Sequence, residues 1–151
     1  MEKALKAASE AYSKGHTCSQ ALFCAYAEEM GIAKNTAYRL MEAFGGGMAN
    51  MQEMCGALVA AFAVISYHAS DGRLDGGDSR AKTYACIQKA ADIFKKEYGG
   101  LTCKDILKGQ PPQPLQCTMK MKDAVLIIER VIRKMLPGMT ETKRLEDHDA
   151  S

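Results

Sequence analysis

The feature that most limits what this chain can become is an apolar repeat of three and four residues that restarts after almost every glycine. Ala4, Leu5, Ala8, Ala11 and Tyr12 recur at that step, which places them on one helical face and predicts a helix over Glu2–Lys14. Gly15 stops it. Thr17 can cap a second helix, Cys18–Met30, closed by Gly31, and Asn35 a third, Thr36–Phe44, which runs into Gly45-Gly46-Gly47. A fourth, Cys55–Ala69, is apolar on nearly all faces and belongs at the centre of a bundle. Asp71-Gly72 and Asp75-Gly76-Gly77-Asp78-Ser79 do not follow the calcium-loop spacing and read as a connection with helix-capping residues. Helix five, Arg80–Tyr98, stops at Gly99-Gly100, and Thr102 caps a short Cys103–Lys108 helix. Gly109 and Pro111-Pro112-Gln113-Pro114 then force an extended stretch. The last helix, Thr118–Leu136, carries Met121, Val125, Ile128, Ile132 and Met135 on one stripe, with Lys122, Glu129, Arg130 and Arg133 outside it.

No segment alternates with the period of two that marks a strand. The expected architecture is all-α: a single-domain bundle of five to six helices over residues 1–138, followed by a polar, mobile tail, 139–151. A chain of 151 residues buries roughly 68–70% of its unfolded surface, enough for one core without staples. Twenty basic against eighteen acidic residues leave a net charge of +2. With no dense Lys/Arg stripe and few aromatics, neither a nucleic-acid partner nor a membrane-surface role is supported. The longest apolar-plus-glycine run, Met54–Ile65, has 12 residues, too short to span a bilayer. The first residues, Met1-Glu2-Lys3-Ala4-Leu5, open no apolar signal segment, so the expected address is the cytoplasm.

Six cysteines, at 18, 24, 55, 86, 103 and 117, stand out against this ordinary background. In a reducing compartment such a count points to metal binding or redox work. None forms a CxxC pair, so cooperating cysteines must be gathered from distant parts of the chain. Cys18, Cys55 and Cys103 each fall at a predicted helix N-terminus, where free N–H groups and the dipole favour a thiolate. Cys117, just before the last helix, has the same expected placement. Cys24 and Cys86 lie inside helices and read as small buried hydrophobes. Gly45, Gly46, Gly47 and Gly56 are the candidate cofactor-binding glycines, because backbone without a Cβ can approach a bound group closely.

Cys18, Gly45-Gly46-Gly47, Cys55-Gly56-Ala57, the Phe94–Gly109 segment around Cys103, and Cys117 together resemble the redox-active family named for its C-GCAxxG-C-C pattern. The resemblance covers most of the chain, from about Cys18 to the final helix. It implies a cysteine-based redox role and makes Cys18, Cys55, Cys103 and Cys117 the characteristic cysteines. One departure is Ala60, which stands where the pattern ends in glycine. A related module in split-Soret cytochromes is associated with an iron–sulfur cluster; this chain has no CxxCH, so the haem of those proteins does not carry over.

Three readings follow. In the first, Cys18, Cys55, Cys103 and Cys117 converge on a metal centre, with a [2Fe–2S]-like cluster ahead of zinc because structural zinc sites usually take two ligands from one tight knuckle. In the second, Cys55 attacks and Cys18, Cys103 or Cys117 resolves, giving cofactor-free thiol–disulfide chemistry. The third is a Cu(I) carrier or helical interaction module, prompted by Met48, Met51 and Met54 at steps of three. The first ranks ahead. His16, two residues before Cys18, reads as a turn residue that could support a ligand; His68 suits the dipole at the end of the fourth helix; His148 lies in the tail. Glu53 is a cap or base candidate, whereas Glu28-Glu29 should face solvent. No Ser/His/Asp or Cys/His order is legible, so no enzymatic activity is assigned. Electron transfer or redox sensing requires only an electron donor or acceptor, whose identity is open, and the exposed side of the last helix leaves room for a homodimer.

Overall fold

A computed structural model describes residues 1–138; the expected tail, 139–151 with His148, lies outside the described residues. These residues form seven α-helices rather than five to six: α1 (Glu2–Ser13), α2 (Cys18–Ala27), α3 (Lys34–Met41), α4 (Gly56–Ala69), α5 (Arg80–Tyr98), α6 (Cys103–Leu107) and α7 (Pro114–Met135). A short 3-10 turn, Glu42–Phe44, follows α3. Among the described residues no strand forms, and no helix is long and apolar enough to cross a membrane.

The apolar repeat explains the packing. α4 lies against α2, α5 and α7, and Ala57, Leu58, Ala61, Val64 and Ile65 are fully buried. On α7 the inner stripe includes Met121, Val125, Ile128 and Ile132 as expected, widened by Cys117, Lys120, Ala124, Ile127 and Val131. Phe94 of α5 closes the centre. Ala60 is buried without exposure, so the helix interior accommodates its methyl.

Several boundaries move for local reasons. α7 starts at Pro114, with Gln113 as its extended N-cap, because proline's fixed φ and missing N–H suit the first helical turn. The proline run therefore launches the helix instead of excluding it. α3 starts one residue before Asn35, whose carboxamide oxygen accepts from the Thr36 amide within the first turn. α2 ends at Ala27 and unwinds through turns to Gly31. Ser79 opens α5 without a side-chain cap; its hydroxyl instead accepts from the Asp71 amide. His68, expected as a dipole partner, is buried with Nε2 3.3 Å from Glu29 Oε1. That contact also makes Glu29 a half-buried residue rather than a solvent-facing one.

Candidate functional site

Three local devices hold the four cysteines. Thr17 caps α2 in a capping box: its hydroxyl accepts from the Gln20 amide at 3.2 Å, and Gln20 Oε1 accepts from the Thr17 amide at 3.1 Å. Two further bonds tie this end of α2 to the end of α3: Ser19 Oγ donates to the Met41 carbonyl at 2.8 Å, and Gln20 Nε2 donates to the Tyr38 carbonyl at 3.0 Å. Cys18, the first residue of α2, is thereby fixed over the glycine-rich segment.

Cys55 and Cys103 share one backbone clamp. The Cys55 amide donates to Leu101 O at 2.9 Å, Cys103 N to Glu53 O at 2.7 Å, and Lys104 N to Gln52 O at 2.9 Å. This is an isolated antiparallel bridge, centred on Met54 and Thr102, that brings residues nearly fifty positions apart into register. Cys55 then becomes the N-cap of α4 and Cys103 the first residue of α6, with the Thr102 hydroxyl accepting from the Asp105 amide. Glu53, expected as a cap or base, serves through its backbone, and its side chain is exposed. Cys117 sits one turn inside α7, its amide already bonded to Gln113 O at 3.0 Å, so it lacks the free helix terminus expected of it.

The segment between Gly45 and Glu53 is wound, not flexible. Gly46, Gly47, Met48, Ala49 and Asn50 all have positive φ, as does Gln52. Left-handed backbone costs roughly 1–2 kcal/mol for each non-glycine residue. Here it is held by Ala49 N to Ala43 O at 2.7 Å, Asn50 N to Gly45 O at 3.1 Å and Glu53 N to Gly47 O at 3.0 Å. Strain sustained in this way tends to mark functional loops. A Cβ on Gly47 would meet Glu53 O at 2.6 Å, the same oxygen that anchors Cys103. A Cβ on Gly56 would meet Cys18 Sγ at 2.9 Å.

These elements put all four cysteines on the wall of one cavity of about 270 Å³. Tyr12, Gly45, Gly46, Ala49, Asn50, Pro112 and Lys120 also line it. Gly47, Gly56, His16 and the three methionines at 48, 51 and 54 do not line it. The methionine spacing carried no common face because this stretch is not a right-handed helix, and Met51 is exposed. His16 instead stacks on Tyr38, with ring centroids 4.2 Å apart. Cys24 and Cys86 are buried elsewhere in the core, as expected of small hydrophobes. Among the described residues, no group of three or more His, Cys, Asp or Glu stands ready to hold a metal ion in this conformation.

The electrostatics reverse part of the helix-terminus expectation. Burial, then the neighbouring Cys55, pushes the Cys18 thiol up to about 11. Cys55 rises through its hydrogen bond to Cys103 and its burial, whereas Cys103 falls because the same bond stabilises its thiolate. Within this pair the thiolate is favoured at Cys103 over Cys55. At Cys18 desolvation is the leading cause, so depth there opposes what the helix terminus favours. Tyr12 is also raised, by burial and by donating to Cys117.

Two wall residues escaped the sequence reading. Lys120 is 2% exposed, the one buried Lys, Arg, Asp or Glu among the described residues. Its signal was present: it lies three residues after Cys117 and four before Ala124, on the inner stripe of α7. Tyr12 was assigned to the packing face of α1, and only the docking of α1 beside α7 brings it to Cys117.

A family model described as "Putative redox-active protein (C_GCAxxG_C_C)" matches residues 16–131. No curated protein and no solved structure matches the chain.

Proposed function

The chain belongs to the C_GCAxxG_C_C redox family, and from that premise we propose that Cys18, Cys55, Cys103 and Cys117 form a single sulfur-based centre that holds a metal, an iron–sulfur cluster first among the candidates, for electron transfer or redox sensing. The observation that carries this reading is that all four thiols line one cavity in an otherwise close-packed core. The donor set fits: four thiols in one enclosure suit iron–sulfur clusters and other thiophilic metals. Ligation asks the thiols to turn inward from the cavity wall, while the capping box, the backbone clamp and the first turn of α7 keep their main chains in place. When bound, such a group supplies one-electron storage. Cys18, Cys55, Cys103 and Cys117 would hold it, with Gly46 backbone and the Tyr12 hydroxyl beside the sulfurs.

A second reading is favoured by the Cys55–Cys103 hydrogen bond and the clamp beneath it. In that reading the Cys103 thiolate attacks a disulfide acceptor, expelling one of its sulfurs as a thiol, and Cys55 then displaces the other, leaving a Cys55–Cys103 disulfide and the acceptor reduced to two thiols. Anaerobic purification followed by a visible spectrum and analysis for iron, sulfide, zinc and copper decides between them. Charge-transfer bands with matching iron and acid-labile sulfide, lost in Cys55→Ala but retained in Cys86→Ala, are expected. A colourless, metal-free protein overturns the metal reading. Loss of two thiols on oxidation, mapped to Cys55 and Cys103, then establishes the disulfide.

A further inference from the structure

We propose that Lys120 is a charge-compensating residue that sets the reduction potential of the four-cysteine centre; the inference rests on that centre being redox-active. The C_GCAxxG_C_C pattern by which the family is described names no lysine. Lys120 lies on the inner face of α7, one turn after Cys117, and lines the same cavity as Cys18, Cys55 and Cys103. Among the described residues it makes no ion pair with a carboxylate: the pairs are Lys3–Glu28, Lys6–Glu10, His68–Glu29 and Arg73–Asp75. Glu42, a carboxylate residue of the cavity wall, is exposed, and Asp123, three residues further along α7, accepts from the Tyr98 hydroxyl.

A buried charge is strongly unfavourable without a compensating partner. Long side chains normally avoid that penalty by carrying the charged end to water, yet only 2% of Lys120 is exposed. A disulfide offers it no charge, whereas a reduced centre that carries thiolate does. An anionic sulfur centre in the cavity it lines supplies a compensating charge. The relation is reciprocal: a fixed positive charge in a low-dielectric wall stabilises the reduced, more negative state over the oxidised one, because net charge is among the determinants of such potentials. Lys120 therefore raises the potential and eases reduction.

The test is an anaerobic redox titration of the full chain as wild type, Lys120→Met, Lys120→Gln, Lys120→Arg and Lys122→Met. The visible bands are followed if the protein is coloured. The thiol–disulfide equilibrium against dithiothreitol buffers is followed if it is not. Lys120→Met keeps the length and apolar stem while removing the charge. It should shift the reduction equilibrium at least tenfold toward the oxidised form, about 59 mV for one electron or about 30 mV for two. Lys120→Arg should restore most of that shift, and the exposed Lys122→Met should leave the potential unchanged. If Lys120→Met fails to fold, as judged by circular dichroism, Lys120→Gln is read in its place. A folded charge-removing variant with the wild-type potential overturns the proposal and reduces Lys120 to packing. A wild-type protein that takes up no electrons in either titration overturns the redox reading itself, an outcome separable from the behaviour of the variants.

Discussion

Adding one methyl group at Gly56 probes whether the contact between α4 and Cys18 is as close as the geometry requires. A Cβ there would stand 2.4 Å from Phe44 O and 2.9 Å from Cys18 Sγ. Ordinary carbon–oxygen approach is about 3.3 Å, so the carbonyl, the sulfur or the start of α4 must give by about 1 Å. Neither neighbour is a free side-chain end. Phe44 O accepts from Met48 N in the wound segment, and Cys18 is fixed by the Thr17 capping box. Overpacking of this kind costs about 1–3 kcal/mol, and the better helix propensity of alanine returns up to about 1 kcal/mol. The expected net effect of Gly56→Ala is a loss of about 1–2 kcal/mol, or roughly 2–8 °C in Tm for a chain of this size. Urea unfolding of the reduced protein, followed by helical circular dichroism, measures it. Because Cys18 Sγ is one of the atoms displaced, the variant should also bind metal less well or exchange its thiols at a changed rate. A variant within about 0.5 kcal/mol of wild type, with unaltered thiol chemistry, would refute the close approach.

Thr17→Ala removes the cap of α2 and should cost about 1 kcal/mol; a chemical-denaturation midpoint equal to wild type would contradict the capping box as an anchor for Cys18. The reduced, metal-free protein should lose stability in alkali. The folded-state value of Cys18 is about 11, whereas in the unfolded chain the thiol titrates near its ordinary value, so from roughly pH 9 to 11 the folded state holds a proton that the unfolded state has released. Stability then falls as pH rises, by about 1.4 kcal/mol per pH unit for each such group. Urea midpoints measured across that window should decline for wild type and decline less for Cys18→Ala; a flat wild-type profile would count against the burial of this thiol.

Much of this protein was legible from spacing alone. The three- and four-residue repeat determined the helices, because burying one face of a helix demands apolar residues at that step. Thr17, Thr102 and Gly99 marked helix ends correctly, since a cap's chemistry is local. The four candidate cysteines could be selected by placement and by family resemblance, and the same reasoning set Cys24 and Cys86 aside. Local signals failed where two rules competed. Pro114 opened a helix that the proline run seemed to forbid, and the glycine triplet began a left-handed turn that continued through Met48, Ala49 and Asn50. The latter is held by a set of backbone bonds within residues 43–53, which outweighs the poor left-handed preference of Met48 and Ala49. Tertiary structure alone set these thiols apart electrostatically, because the answer depends on depth and neighbours: Cys18, Cys55 and Cys103 share a helix-terminus placement, while the hydrogen bond between the last two raises Cys55 and lowers Cys103. It alone also brought Tyr12 from α1 and Lys120 from α7 to the same cavity wall. Sequence periodicity says which face of a helix turns inward; only the packing of one helix on another says what that face meets there.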